Sequence, residues 1–352
     1  MLNIPQSYTG NAFTNVDFDK PGRQLGFVSI PHSPNGDAWG VTQVPIAVIA
    51  NGTGPTVVIE GGNHGDEYEG PITIGELARD LDPGAVQGRL ILMPANNVHA
   101  VLAATRTSPV DGLNFNRVWP GDPMGSITEQ IAAYVAHRIF PMADAFLDLH
   151  SGGSSLDILA SAIIEPTDDA ALHEKNVAAV QAFDAPYTVV IANMGDQRTA
   201  TATACRAGLI TVGTEMRGRG TVSLDALEVC RRGVRNVLAH LGVLEGAASP
   251  ARTDRPILEL GGAAAYVYAP IDGVFEPFHD LGEHVSAGQP AGRIHRIWDL
   301  TAGPVTVHYA ADGIVYGQRH PGRVALGNDD RHRGRRGRPR ADRAACAADA
   351  GL

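Results

Sequence analysis

Two predicted strands of this chain end next to residues that can bind a metal ion. TVVIE (56–60) leads into GGNHGDE, which carries His64 and Glu67, and AFLDL (145–149) ends on His150. Loops that follow the carboxyl ends of strands meet at one edge of an open α/β sheet, where such proteins place their ligand sites. Two imidazoles and a carboxylate can hold Zn²⁺ and leave a coordination position open. The pattern therefore predicts a site for one zinc ion.

A third strand end adds a carboxylate that could move protons. LITVGT (209–214) is followed by Glu215, ahead of the glycine-containing loop MRGRG. Such a carboxylate can take a proton from a zinc-activated water and later deliver it to a leaving nitrogen. Asp148 lies two residues before His150 and on the same face of its strand, so it is a candidate acceptor for the histidine ring. The chemistry indicated is that of a zinc-dependent hydrolase.

Each of these residues also has an ordinary structural explanation. His64 and Glu67 could form a surface turn, and His150 could be a hydrogen-bonded core residue. Glu215 could be a surface glutamate beside a helix, and Asp148 a solvated carboxylate at a strand end. Their shared position at the carboxyl ends of separate strands favours a metal site over these separate explanations.

The loop after RLILMPA (89–95) carries further polar side chains toward the same edge. Arg106 and the pair Asn116 and Arg117, in the run NFNR, lie in this loop. Guanidinium groups bind carboxylates through two hydrogen bonds and stabilise developing oxyanions, and an amide can add a donor. An arginine that merely holds the loop is the competing explanation.

Composition narrows the class of protein. The chain has 352 residues, 44% of them hydrophobic and 19% charged, with a net charge of −10. This acidity argues against binding to nucleic acid or to an anionic membrane. The sequence shows no signal peptide, no apolar segment long enough to span a bilayer, no GxSxG elbow and no Walker A loop. We therefore expect a cytoplasmic enzyme with a small-molecule substrate, and a homo-oligomer is left open.

The elements that must position these residues follow an α/β pattern. The apolar runs 41–50, 55–60 and 89–95 are predicted strands, and PITIGELARDL (71–81) between the last two is a predicted helix. Strand, helix and strand in this order favour a parallel crossover. Further helices are predicted after Ser126 and near 168–183, 199–207 and 224–241, with a further strand at 187–192.

Changes in composition divide the chain into five parts. Residues 1–40 are an irregular lead-in, 41–246 a catalytic domain and 247–256 a linker. Short strands separated by Gly and Pro predict a small β-domain over 257–327. Residues 328–352 are rich in arginine and lack a periodic apolar face, which predicts a disordered tail. The abrupt change at Asn328 suggests a divergent end or a shifted reading frame.

Four segments in this order resemble the succinylglutamate desuccinylase/aspartoacylase family of zinc-dependent deacylases. They are GGNHGDEYEG, TRTSPVDGLNFNR, DLHSGG and GTE, and the likeness covers roughly residues 15–327. The forms GGNHGDEYEGP and RTSPVDG are most similar to the branch that deacetylates N2-acetyl-2,4-diaminobutyrate in ectoine degradation. The resemblance implies a zinc-carboxypeptidase-like α/β fold with a mixed, mostly parallel sheet flanked by helices and a small C-terminal β-domain.

The same resemblance implies a role for each candidate residue. The zinc ligands are His64, Glu67 and His150, and Glu215 is the general base and acid. Arg106 becomes the oxyanion stabiliser, while Asn116 and Arg117 hold the α-carboxylate of the substrate. Zinc suits these donors best, although cobalt and manganese also fit them.

One departure from the family pattern concerns substrate choice, and two other functions remain open. Arg217 and Arg219 interrupt a run of glycines after Glu215. Positive charge there would repel an ammonium side chain and favour an acidic one. A zinc carboxypeptidase that cleaves peptides would share these ligands and the Arg117 clamp. A non-catalytic, metal-dependent binding protein is the other alternative, although binding alone needs no carboxylate at 215.

Overall fold

The chain forms one large mixed sheet with helices on both faces, followed by two small antiparallel sheets. The computed structural model describes residues 8–191, 195–246, 257–260 and 262–326, and the backbone of 343–348. The helices are α1 (Glu69–Asp80), α2 (Val98–Ala103), α3 (Ile127–Tyr134), α4 (Ala170–Phe183), α5 (Ala200–Arg206) and α6 (Leu224–His240). The strands are β1 (Phe13–Thr14), β2 (Gly22–Pro31), β3 (Val41–Asn51), β4 (Thr56–Gly61), β5 (Gly88–Met93), β6 (Ala145–His150), β7 (Leu156–Ile158), β8 (Ser161–Ile164), β9 (Tyr187–Ile191), β10 (Ile210–Glu215), β11 (Ile257–Leu260), β12 (Tyr266–Tyr268), β13 (Gly273–Pro277), β14 (His284–Val285), β15 (Pro290–His295), β16 (Val305–His308), β17 (Gly313–Arg319), β18 (Arg323–Val324) and β19 (Arg343–Ala348).

The large sheet has ten strands in the order β1-β2-β3-β5-β4-β6-β10-β8-β9-β11. The pairs β5–β4, β4–β6 and β6–β10 at its centre are parallel, and so are β8–β9 and β9–β11. The β8–β10 pair is antiparallel, and β1, β2 and β3 extend the other side of the sheet in antiparallel pairs ending at β5. The expected mixed, mostly parallel sheet flanked by helices is therefore confirmed.

Alternating side chains of the central strands feed two separate cores. Val57 and Ile59 pack into the core beneath α1, α4 and α6, whereas Val58 faces the core formed with α3 and α5. A strand buried on both faces needs an unbroken apolar run, because successive side chains point to opposite faces. This requirement explains the sequence TVVIE. The same burial leaves only the strand ends open to ligands.

The prediction of an irregular lead-in over residues 1–40 is wrong for Gly22–Pro31. These residues form β2, which pairs along its whole length with β3. Leu25 is 67% exposed and Phe27 40% exposed, so large apolar side chains point outward along the first part of this strand. Together with the glycines at 22 and 26, this exposure hides the alternation of buried and exposed positions that identifies a strand in a sequence.

The boundary of the C-terminal β-domain also needs correction. Ile257–Leu260 was assigned to the small domain, yet it forms β11 and closes the large sheet beside β9. Conversely, β7, which lies in the predicted catalytic domain, pairs with β17 of a small sheet. The small sheets proper are β12-β19-β17-β14, joined by β7, and β16-β15-β13-β18. The predicted linker at 247–256 lies outside the described residues.

The prediction of a disordered tail over 328–352 is wrong for Arg343–Ala348. This segment forms β19, which lies between β12 and β17 and pairs with both in antiparallel orientation. Two open strand edges supply backbone hydrogen bonds, so pairing here does not require a periodic apolar face. The rest of the tail is outside the described residues. Among the helices of the described ranges, none is both long and apolar enough to cross a bilayer.

Candidate metal and substrate site

The carboxyl ends of three neighbouring parallel strands bring the predicted site together. His64 and Glu67 lie in the turn after β4, while His150 is the last residue of β6 and Glu215 the last of β10. The β6–β10 register pairs Glu215 directly with His150, and the β4–β6 register ends at Gly61 opposite Leu149. The strand-end argument from sequence thus placed all four residues on one edge.

His64, Glu67 and His150 form a compact, buried triad. The Nδ1 atom of His64 lies 2.7 Å from Oε1 of Glu67, and Nδ1 of His150 lies 2.7 Å from Oε2 of the same carboxylate. One ligand atom from each residue lies within 4.8 Å of the others, which is the spacing that a single metal ion requires. The Ser151 amide also donates to Glu67 Oε2 at 3.1 Å and fixes the carboxylate.

The polar groups beside the Nε2 atoms of the two histidines favour the tautomers in which Nδ1 is unprotonated. Nε2 of His150 lies 3.0 Å from Oδ1 of Asp148, and Nε2 of His64 lies 3.1 Å from Oδ1 of Asn114. The Asn114 oxygen also accepts the Asn116 amide at 3.0 Å, so this atom is an acceptor. Nε2 of His64 must then carry the proton, and the Asp148 carboxylate beside Nε2 of His150 favours the same tautomer there, which leaves each Nδ1 able to bind a cation. The donor set fits a metal ion for this reason.

Electrostatic shifts follow from placing these charges in a buried pocket. Burial alone would raise the pKa of Glu67, but the two neighbouring imidazoles outweigh it and hold that pKa far below its usual range. Burial and the Arg106 guanidinium lower the pKa of His64. Burial opposes protonation of His150 as well, yet Asp148 and Glu67 raise its pKa well above the ordinary value. The negative charges of Asp148 and Glu67 therefore favour a cation on His150, either a proton or a metal ion at the Nδ1 atom that faces Glu67.

Glu215 lines the same cavity as the triad. Its Oε2 atom is buried and has no hydrogen-bond partner among the described residues. Burial, with repulsion from Glu67, raises the pKa of Glu215 to about 8. A carboxyl group whose pKa lies this near neutrality can both accept and release a proton.

The three residues predicted from the connecting loop also reach the site. The Arg106 guanidinium lies 3.6 Å from Glu67 Oε1, and Asn116 Nδ2 lies 3.4 Å from Nε2 of His150. Arg117 lines the same cavity, but its Nε is 3.3 Å from Oδ2 of Asp196. The loop geometry holds Asn116 in place, since its Oδ1 accepts the amide of Ala200 at the start of α5 at 2.9 Å.

Three site residues were missed in the sequence. Asn114 is part of the run NFNR and supports His64, as described above. Glu60 is fully buried beneath the site, accepts hydrogen bonds from Asn63 and Asn96, and has a pKa raised to about 8 by burial and by Asp148. Glu165 lines the cavity and directly follows β8. The signal for Glu60 and Glu165 was an acidic residue next to an apolar run.

Arg217 and Arg219 do not add free positive charge to the pocket. Arg217 Nη2 lies 3.2 Å from Asp157 Oδ2, and Arg219 Nε lies 3.5 Å from the same oxygen. Neither side chain lines the cavity. The expectation that these arginines select an acidic substrate therefore loses its basis.

The fold and the triad define an α/β protein whose sheet edge can hold one metal ion beside a further carboxylate, that of Glu215. Residues 53–241 match the succinylglutamate desuccinylase/aspartoacylase catalytic domain. The chain is 38% identical over 313 residues to the N-alpha-acetyl-L-2,4-diaminobutyric acid deacetylase of Halomonas elongata, covering 89% of this chain and 92% of that protein.

Solved structures of proteins from the same family superpose on nearly the whole chain. A succinylglutamate desuccinylase/aspartoacylase from Rhodobacter sphaeroides superposes with a TM-score of 0.87 at 40% identity, covering 97% of this chain and 99% of its own. The product-bound ectoine utilization protein EutE (DoeB) from Ruegeria pomeroyi superposes with a TM-score of 0.88 at 34% identity, covering 96% and 98%. The chain belongs to the succinylglutamate desuccinylase/aspartoacylase family, and it is a hydrolase of carbon–nitrogen bonds in linear amides rather than a peptidase.

Proposed function

We propose that this protein is a zinc-dependent deacetylase that removes the acetyl group from N2 of N2-acetyl-L-2,4-diaminobutyrate. The observation that carries the proposal is the 38% identity, over 89% of this chain, to a deacetylase named for that substrate. The buried triad with a carboxylate beside it supplies the chemistry that amide hydrolysis needs. The cavity beside the triad has a volume of about 170 Å³, which is too small for a long peptide.

His64, Glu67 and His150 would hold the ion in this proposal. Their donor atoms are two imidazole nitrogens and one carboxylate, the set found in zinc hydrolases that keep one position open. When bound, Zn²⁺ would acidify a water molecule and polarise the acyl carbonyl. Asp148 and Asn114 would orient the two rings from behind through their contacts with Nε2.

Glu215 is the proposed general base and acid. Its buried carboxylate takes a proton from the attacking water and afterwards gives it to the departing amine. The environment supports both steps, because burial raises the pKa of Glu215 to about 8 whereas a nearby cation would lower it.

Arg106, Asn116 and Arg117 are proposed to hold and polarise the substrate. Arg106 has a side chain 44% exposed and stands next to Glu67, where it can reach the oxygen of the scissile carbonyl. Asn116 and Arg117 would take the α-carboxylate, with the substrate replacing Asp196 as a partner of the guanidinium. A carboxylate that accepts two guanidinium hydrogen bonds is held in a fixed orientation.

A turnover screen of the full-length, zinc-loaded protein tests this proposal. The substrates are N2-acetyl-2,4-diaminobutyrate, N-acetylaspartate, N-succinylglutamate and N-acetylornithine, with release of the free amine as the measurement. The expected result is a kcat/KM for the diaminobutyrate derivative well above the others. Turnover of another member of the set, with none of N2-acetyl-2,4-diaminobutyrate, would overturn it.

A further inference from the structure

A second carboxylate lies in the same cavity, away from the triad. β8 runs antiparallel to β10, with Ser161 opposite Glu215 and Ile163 opposite Gly213. Glu165 follows two residues after Ile163, so both side chains project from the same face of the strand. Ile163 and Glu165 line the cavity together. Counting along the strands, Glu165 lies about 13 Å deeper than Glu215 at the Cα level, at about 3.3 Å per residue.

The passage between these two carboxylates is kept open by a glycine. Gly213 lines the cavity, and a Cβ at this position would lie 3.1 Å from Cβ of Ile163. The apolar side chains Ile191 and Leu260 line the same cavity. The space beyond the triad can therefore accept a short aliphatic chain that ends close to Glu165.

Glu165 is a buried carboxylate that is only 5% exposed. Within the described ranges its side chain makes no hydrogen bond and no ion pair. Two charged groups face it: Asp148 from β6, and Arg206 from α5. The Arg206 guanidinium is already bonded to Gln197 at 2.7 Å and to Thr203 at 3.0 Å. Burial raises the pKa of Glu165 to about 7, because no cation stabilises its ionised form sufficiently.

We propose that Glu165 binds the side-chain ammonium of the substrate and selects N-acyl amino acids with a short cationic side chain. This inference rests on the proposed deacetylase function. The charges that line the cavity are complementary to such a molecule. The arginines of the cavity wall are Arg106 and Arg117, and both come from the loop beside the triad. An α-carboxylate would bind at that end while the ammonium reaches the deeper carboxylate. An acidic side chain would instead meet Glu165 and be repelled.

The test compares two substrates in the zinc-loaded enzyme and its Glu165→Gln variant. N2-acetyl-2,4-diaminobutyrate carries the ammonium, and N-acetyl-2-aminobutyrate is the same chain without it. In the wild type, kcat/KM for the first should exceed that for the second. In the variant, kcat/KM for the first should fall by about 30-fold or more, as when one partner of a buried charge pair is truncated, while the value for the second changes little.

Three controls make the outcomes distinct. Glu174→Gln on the exposed face of α4 makes the same chemical change away from the cavity and should leave both rates unchanged. Binding of free 2,4-diaminobutyrate, measured by calorimetry, should weaken in Glu165→Gln by a similar factor. Glu165→Asp retains the charge at a shorter reach and should restore part of the preference.

Equal losses on both substrates in Glu165→Gln would overturn the inference and leave the deacetylase proposal standing. Equal kcat/KM values for the two substrates in the wild type would also overturn the inference about Glu165 and leave the deacetylase proposal standing. If the wild type consumes neither, the deacetylase proposal fails and the role of Glu165 falls with it.

Discussion

At the scale of single residues, the site depends on groups that hold the histidines from behind. Asp148 is completely buried. Its Oδ1 lies 3.0 Å from Nε2 of His150, and its Oδ2 accepts a hydrogen bond from the Thr201 hydroxyl at 2.9 Å. Asn114 supports His64 from the neighbouring loop. Each contact orients one ring, so the fold itself places the donor atoms of the proposed metal site close together.

Replacing Asp148 by Asn should weaken the metal affinity by about 10- to 100-fold, because the carboxylate that orients His150 is lost. Competition with a fluorescent zinc chelator measures this change. Asp168→Asn, at an exposed position just before α4, is the matched control and should bind zinc as the wild type does. An unaltered affinity in Asp148→Asn would contradict the supporting role of this carboxylate.

Replacing Glu215 by Gln should lower kcat by about 100- to 10,000-fold, the range usual for a general acid–base. Glu215 is outside the triad of donor atoms, so the zinc content of the variant should stay at the wild-type level. Metal analysis and steady-state kinetics on the same preparation separate the two effects. Near-normal turnover would exclude Glu215 as the proton carrier.

At the scale of elements, the parallel strands were readable in the sequence because their burial on both faces demands unbroken apolar runs. β4, β6 and β10 lie where TVVIE, AFLDL and LITVGT predicted them, and the polar residue after each run marked the site edge. The strand-end rule would assign Glu165 to the opposite edge of the sheet, because Glu165 follows β8 and β8 runs antiparallel to β10. Contacts between distant segments, such as Arg117 with Asp196, carry no local signal.

The small C-terminal sheets also contribute to the cavity wall, through Tyr266 of β12 and through β17. Tyr316 of β17 is 3% exposed and lines the cavity, and its hydroxyl lies 2.6 Å from Oγ of Ser161 on β8. This contact links the large sheet to the small one across the cavity wall. A buried hydroxyl left without its partner is costly, whereas removing both partners is nearly neutral.

Tyr316→Phe should therefore lower the free energy of unfolding by about 1–3 kcal/mol. The double variant Tyr316→Phe with Ser161→Ala should recover much of that loss, because neither hydroxyl remains unsatisfied. Urea denaturation of both proteins, analysed as a double-mutant cycle with Ser161→Ala alone, gives the coupling. Strictly additive losses would mean that this hydrogen bond does not couple the two sheets.

At the scale of the whole molecule, the site contains several buried carboxyl groups that have too few cationic neighbours to stabilise their ionised form. Burial raises the pKa of Glu60 to about 8, of Glu165 to about 7 and of Glu215 to about 8. In the unfolded chain a glutamate titrates near pH 4.3, at about its ordinary value. Between these limits the folded chain holds more protons than the unfolded chain, so its stability falls as pH rises.

Removal of the metal should therefore make the melting temperature fall as pH rises from about 5 to about 8. His150 acts in the same direction because its pKa is raised. The lowered pKa values of His64, His99 and His137 oppose this trend only up to about pH 6.5, so the carboxyl groups determine the decline above it. Bound zinc stabilises the folded chain and favours the ionised carboxylates around it, so the loaded protein should melt higher and show a weaker decline. Calorimetric melting of chelated and zinc-loaded protein over this range measures both slopes.

In the chelated protein, Glu165→Gln should reduce the decline between about pH 4.3 and 7, where this side chain releases its proton. A chelated protein whose stability rises across the range would show that these carboxyl groups are ionised in the fold.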